Sequence, residues 1–382
     1  MKRITLLSLS VLAVLLVAPG LLAQARTFSD TPDVLLGLKE DRSPSMTFVD
    51  VEGDGDLDVI VANGRHWPQQ NEVFLNNGQG RFTLGYPLGP ELSTTYKVPA
   101  GDLDWDGYPD VVVANDLAPN QIYLNDGLGR FLLAGALGPE VESTRGVFLA
   151  DLNGDSLLDA LVTNRGMENG IYLNMGGGEF GPKRGFGTSD DSTISLAVAD
   201  VNRDGYPDLV LANRDGQPNA VYLGDSDLSF AESLPYGTGS DETRAVAVAD
   251  MNGDGHLDLV TANIGEPNGV YFGDGTGQFD GGVSVGDEAQ GEATEQSYSV
   301  VVTDMDRDGD QDIVIGNVRA RNAVYFNDGT GRRYSVVRFG READVTYGVA
   351  VGDVNGDGYP DIGVANSDGL NGIHLNRSAG AG

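Results

Sequence analysis

The sequence predicts an all-β protein, a seven-bladed β-propeller of four-stranded blades whose ring is closed by the amino-terminal strand. Three observations carry this expectation. An aspartate-rich stretch of nine residues recurs seven times, at start-to-start spacings of 49 to 54 residues, close to the length of one blade. Apolar residues around each copy alternate or run briefly, and they do not recur at helical spacing. A piece missing from the last repeat stands at the other end of the chain.

The copies read DVEGDGDLD from Asp50, DLDWDGYPD from Asp102, DLNGDSLLD from Asp151 and DVNRDGYPD from Asp200. DMNGDGHLD from Asp250, DMDRDGDQD from Asp304 and DVNGDGYPD from Asp353 complete the set. Each is preceded by a β-rich run such as VFLAD and followed by a second such as DIVIGN. A third run such as NGVYFG comes next, then a glycine-rich turn and a short piece bearing an aromatic. Four short strands between evenly spaced turn signals describe a blade. The aromatic is Phe82, Phe131, Phe180, Phe230, Phe279 or Tyr334, and the last repeat lacks it. Arg26-Thr27-Phe28 resembles Gly80-Arg81-Phe82 and supplies the missing piece. Closure of that kind leaves only short, protected edges, whereas a linear solenoid needs distinct caps.

Residues 1–25 read as a secretory signal: Lys2 and Arg3, an apolar run from Ile4 to Val17, then Ala23-Gln24-Ala25 as a small-x-small cleavage site. Residues 26–377 form the propeller, and 378–382 a disordered tail. The expected location is therefore secreted, extracellular or periplasmic, with no membrane insertion after cleavage. The 382 residues include no cysteine, so disulfides cannot stabilise an exported chain of this kind. Its formal charge is −33 and its hydrophobic content 40%. The apolar content separates it from acidic disordered chains, and the acidity argues against nucleic acid or anionic lipid as partners.

The spacing of each copy points to a hard cation. Oxygen-bearing side chains stand at its first, third, fifth and ninth positions: Asp50, Glu52, Asp54 and Asp58, then Asp102, Asp104, Asp106 and Asp110. The third and fourth copies offer Asp151, Asn153, Asp155 and Asp159, and Asp200, Asn202, Asp204 and Asp208. The last three offer Asp250, Asn252, Asp254 and Asp258, Asp304, Asp306, Asp308 and Asp312, and Asp353, Asn355, Asp357 and Asp361. The seventh residue contributes a backbone carbonyl, as at Tyr108, Tyr206, His256, Asp310 and Tyr359. Calcium takes six to eight oxygens at about 2.3–2.6 Å, and glycine at the sixth position permits the sharp turn. Magnesium prefers to keep its waters, and zinc or iron would want Cys or His ligands. An EF-hand is excluded, because the twelfth position holds Val61, Val113, Val162, Leu211, Thr261, Ile315 or Val364 where a bidentate Glu is needed. The expectation is up to seven structural Ca²⁺ ions. Two loops depart from the pattern, with Glu52 at a third position and Ser156 in place of the turn glycine. The loops hold 26 of the 57 acidic residues, a concentration that destabilises the compact state without counter-ions.

These loops resemble the FG-GAP/VCBS repeat family, which includes the propeller of integrin α-subunits. The resemblance spans residues 26–377 and implies calcium in β-hairpin loops on one face, with ligands or partner proteins usually meeting the other. Nothing matches an integrin's later domains.

Comparing the repeats with one another separates scaffold from specialisation. Asn63, Asn115, Asn164, Asn213, Asn263, Asn317 and Asn366 recur five residues after each loop, and Asn71, Asn120, Asn169, Asn219, Asn268, Asn322 and Asn371 open the third strand. Both series are expected to brace turns. A hydroxyl stands seven residues before each loop: Ser43, Thr95, Thr144, Thr193, Thr243, Ser297 and Thr346. The residue after it varies, and it places Tyr96, Arg145, Arg244, Tyr298 and Tyr347 at the mouth of a central channel, away from calcium. Tyr and Arg favour recognition. Arg65, Arg165, Arg214, Arg319 and Arg321 sit on loops of the same face, with His66 and Trp67; an exposed Trp suits a sugar face or a protein anchor. No nucleophile elbow, zinc motif or phosphate loop occurs. The expected function is a binding or adhesion module for an extracellular protein or glycan, not an enzyme. The alternative is a polysaccharide lyase or hydrolase, since a glycosidase needs only two carboxylates. A titratable group with a strongly shifted pKa in the mouth would favour that alternative.

Overall fold

The protein is described by a computed structural model covering residues 25–82, 84–285 and 295–379. The expected signal segment lies outside these residues, Ala25 excepted. Every regular element described is a β-strand. Among the described residues no helix is long and apolar enough to cross a membrane.

The strands form antiparallel sheets that follow chain order. The first runs Ser45–Val49, Asp58–Ala62, Glu72–Leu75, Leu84–Pro87. Each second strand opens with a mostly apolar run after its aspartate, as in Asp312–Asn317, where both faces are covered and every residue is buried. In the second repeat the first strand splits into Thr95–Lys97 and Ala100–Gly101, which both pair with Asp110–Ala118. Pro99 interrupts it, since proline brings no N–H to a ladder. The far end of Asp110–Ala118 then pairs with Glu142–Ala150, joining the second and third sheets.

Only three strands of the last sheet follow in order: Thr346–Gly352, Asp361–Asn366 and Gly372–His374. Its fourth is Val34–Leu35, with Val34 opposite Ile373. Phe28 lies in a core cluster with Met305, as Phe131 does with Val51 and Phe230 with Leu152. In each case the aromatic joins the second residue of the preceding sheet's aspartate loop. Arg26–Thr27 also pairs with Arg377–Ser378, so Ser378, assigned by sequence to the tail, has a strand partner. Arg26 is buried; its Nε donates to Asn376 Oδ1 at 2.6 Å.

Adjacent sheets are tied by a repeated polar relay. Each hydroxyl named above is fully buried, and all but Thr243 donate to the asparagine five residues past their own loop, as Thr144 Oγ1 to Asn164 Oδ1 at 3.1 Å. Each accepts from the asparagine opening the third strand of the preceding sheet, as from Asn120 Nδ2 at 3.1 Å. The relay also joins the last sheet to the first, where Asn371 Nδ2 donates to Ser43 Oγ at 2.8 Å. Met46, Val59 and Phe74 of the first sheet share a core cluster with Val354, Ala365 and Ile373 of the last. The asparagines do brace their turns: Asn63 Nδ2 donates to the Gln70 carbonyl, and Asn71 Oδ1 accepts the Asn63 N–H.

Candidate metal loops and a cationic channel mouth

The aspartate loops share one hydrogen-bond plan. Oxygens of the first aspartate accept N–H groups from later in the loop, as Asp50 Oδ1 from Gly53 at 2.7 Å and Oδ2 from Gly55 at 2.8 Å. The fifth residue accepts from the seventh, as Asp54 Oδ1 from Asp56 at 3.0 Å. The chain takes positive φ at the sixth residue of every loop, from 72° at Ser156 to 100° at Gly309. Ser156 thus adopts the left-handed turn that glycine takes elsewhere, with its strain, and its N–H still reaches Asp151 Oδ2 at 2.8 Å.

The ninth aspartate is buried in every loop and braces the backbone with both oxygens. Asp361 Oδ2 accepts from Val354 N at 3.2 Å and Oδ1 from Asn376 N at 2.8 Å. Burial pushes Asp312 and Asp361 up to about 7, and Asp58 and Asp110 up to about 6, against these N–H bonds, which pull the other way. Carboxylate oxygens converge within 4.8 Å of one another at Asp102, Asp104 and Asp106, and at Asp304, Asp306 and Asp312. The second of these sets includes the ninth aspartate; the first does not. An all-oxygen set of this kind suits a hard cation.

The other end of the first strands opens on a cavity of about 550 Å³. Tyr96, Arg145, Arg244, Tyr298 and Tyr347 line it, as the sequence places them, with Arg65, Arg165, Arg214 and His66. Trp67 does not; it is 64% exposed, its ring 5.9 Å from the Arg42 guanidinium. Arg319 and Arg321 are absent from the lining too. Arg321 turns to Asp30 and to the carbonyls of Arg338 and Gly340.

Two lining features are not legible from strand pattern alone. The register shifts between Thr95 and Lys97, and likewise at Thr144/Gly146, Thr193/Ser195, Thr243/Ala245, Ser297/Ser299 and Thr346/Gly348. Each skipped residue is therefore the extra residue of a β-bulge, a device that re-aims a side chain. Lys97 is the second feature. The corresponding residue is small elsewhere (Ser45, Gly146, Ser195, Ala245, Ser299, Gly348), and that contrast is the signal that could have found it. Its ammonium lies 4.3 Å from the Phe148 ring centroid, and burial pulls its pKa down to about 8.

Six overlapping matches to the FG-GAP-like repeat span residues 50–113, 102–162, 151–211, 200–261, 250–315 and 304–364. The chain belongs to the FG-GAP-like repeat family. Each match begins at the first aspartate of one loop and ends at the twelfth position of the next, so the FG-GAP unit straddles two sheets. No curated protein is detectably similar in sequence. Among solved structures, BBS1N in complex with ARL6DN, soaked with mercury, superposes with a TM-score of 0.61 at 14% identity, over 92% of this chain and 97% of that one. The lead-soaked form gives 0.63 at 13%, over 93% and 98%. At such identities the likeness is one of fold, and the FG-GAP chain is a β-propeller.

The FG-GAP loops hold a further asparagine series that the repeat comparison had passed over. Asn76, Asn125, Asn174, Asn327 and Asn376 follow the third strand, and each donates to the carbonyl before its own ninth aspartate and to the loop of the preceding sheet. Asn76 reaches the Val354 carbonyl at 2.7 Å, from the first sheet to the last. Gly224 and Gly273 hold this place in the fourth and fifth repeats.

Proposed function

We propose that the chain is an exported, calcium-stabilised propeller of seven blades, closed by its amino-terminal strand, that binds an extracellular protein or glycan through its channel mouth. The observation that carries this reading is the contrast between the two ends of the first strands. At one end, closely similar oxygen sets recur, and the ninth aspartate makes the same pair of backbone bonds in each. At the other, bulges in six sheets present Tyr, Arg or Ile around a cavity of binding-site size, about 550 Å³. The Asn371–Ser43 and Asn76–Val354 bonds support closure, since they repeat between last and first sheets what joins neighbours elsewhere. Up to seven Ca²⁺ ions would be held by the loop oxygens named above, and each would offset carboxylates that burial and mutual repulsion disfavour. BBS1N, crystallised with ARL6DN, is a fold neighbour that binds a protein, which is consistent with a binding role here.

The test is thermal unfolding with calcium and after chelation, with bound metal counted by elemental analysis. Five to seven calcium ions per chain and a large loss of stability on chelation are expected. An unchanged melting point with no bound calcium would reduce the loops to acidic turns.

Lys97 favours one other reading. A lysine pulled down to about 8 beside arginines could serve as base for β-elimination from an acidic polysaccharide. Unsaturated product from polyuronate, abolished in Lys97→Met, would establish that activity and displace the binding role.

A further inference from the structure

The mouth carries a charge opposite to that of the molecule around it. Among the described residues, six cationic side chains line it, Arg65, Lys97, Arg145, Arg165, Arg214 and Arg244, and no Asp or Glu does. Their carboxylate partners stand outside the cavity. Arg145 pairs with Asp116 at 2.7 Å, Arg244 with Glu242 at 3.1 Å, and Arg165 and Arg214 share Asp215. Arg65 and Lys97 pair with none of these, so the described residues give the mouth a positive excess within a chain of formal charge −33.

Aromatic rings hold the guanidiniums in place without neutralising them. Arg65 lies 3.8 Å from the centroid of Tyr347, which meets Tyr298 edge-on at 4.5 Å, and Arg244 lies 5.6 Å from Tyr298. On the other side Arg65 Nη1 donates to His66 Nε2 at 3.1 Å. Arginine has no acceptor, so the neutral imidazole carries its proton on Nδ1 and donates it to the Tyr96 hydroxyl at 3.1 Å. Arg145 covers Tyr96 at 4.4 Å. A cation on a ring face keeps its N–H edge available. Arg244 is only 7% exposed and lies against Tyr298, yet among the described residues its Nε and Nη1 find no hydrogen-bond partner of ordinary geometry, and Arg65 Nε finds none either. Buried, unpaired donors of a charged group are costly, and an anion in the cavity would satisfy them with charge-assisted bonds. Below the rim the wall turns apolar, through the half-buried Pro99, Phe148, Leu149 and Val301.

The geometry points to a ligand with a carboxylate head and an apolar body, the head on Arg65 and Arg244 and the body down the channel beside Phe148. This deepens the reading of the mouth as the ligand face and rests on it. Such a group comes from a free amphiphilic acid or from the carboxy terminus of a peptide ending in an apolar residue. A sugar acid matches the rim but wastes the wall.

Calorimetric titration of the purified, calcium-loaded chain tests this with four probes: octanoate, acetyl-leucyl-leucine, the amide of that dipeptide, and glucuronate. Heat of binding is expected for octanoate, the dipeptide acid or both, and the arm that binds identifies the source. The amide should bind more weakly by about tenfold or more, the worth of a charge-assisted bond. Arg244→Gln and Arg65→Gln should each weaken the acid by a similar factor, and the second, less buried change guards against misfolding in the first. Equal binding of acid and amide, binding of glucuronate alone, or no binding by any probe would overturn the proposal. Chelation melts on the same samples separate its failure from failure of the calcium reading.

Discussion

The loop end and the mouth end of the first strands lie about 20 Å apart at the usual rise of a strand, and they obey different rules. At the loop end the first and ninth aspartates are committed to the backbone: Asp50, Asp102, Asp151 and their counterparts each close a turn, and the ninth aspartate holds two N–H groups. Substitution there leaves donors buried and unpaired, so the residue types repeat. At the mouth the bulge residue owes nothing to the ladder, and Tyr96, Arg145, Ile194, Arg244, Tyr298 and Tyr347 vary there, as does Pro44 just before the first strand. The repetition marks what holds the blade together, and its breakdown marks what is available for recognition.

Calcium removal should break this contrast most severely. Each occupied loop contributes about 2.7 kcal/mol at a calcium level about a hundred times its dissociation constant. Chelation should therefore lower the melting temperature steeply, as circular dichroism would record. Next in size is Asp361→Ala, which leaves the Val354 and Asn376 N–H groups unpaired at about 1–3 kcal/mol each. Denaturant unfolding should show this loss even in calcium, because it comes from the backbone bonds. A value within error of the parent would mean that those bonds are not structural.

The seam supplies a smaller effect. Asn371→Ala and Asn219→Ala remove equivalent relay bonds, one between last and first sheets and one within the chain's middle. Both should cost about 1–3 kcal/mol. If Asn371→Ala alone were silent, the ring would be open. The smallest effect is pH-dependent. His374, beside Phe339 and the Ser29 carbonyl, has its pKa lowered by burial from 6.5. The unfolded chain then binds the proton more readily than the folded one. The contribution is fully present above about pH 6.5 and is lost as pH falls below it, at up to about 1.4 kcal/mol per pH unit. Calcium-loaded His374→Gln should lose less stability between pH 7 and pH 5 than the parent.

Repeat length, strand order, the aspartate loops and the completion of the last sheet from residues 26–35 were all legible, because each follows from local chemistry stated several times over. Phe28 announced its role by likeness to Phe82. The five residues placed at the mouth, Tyr96, Arg145, Arg244, Tyr298 and Tyr347, all line the cavity, since their place after the hydroxyl is local too. Trp67 is exposed on its loop, as the sequence reads it, but outside the cavity, because a loop's path depends on what it packs against; Arg42 lies 5.9 Å from its ring.

The sequence by itself determined the blade: its turns, its oxygen sets and its buried second strand, through residues bonding within about thirty positions of one another. Only the tertiary structure decided what the blades make together. The relay from Asn371 to Ser43 crosses 328 residues and the Asn76 bond to Val354 crosses 278, and no local pattern contains such a distance. The cationic mouth is likewise a sum over blades. Arg65, Arg145 and Arg244 are unremarkable singly, and they become a site only where strand ends and loops of separate sheets line one cavity.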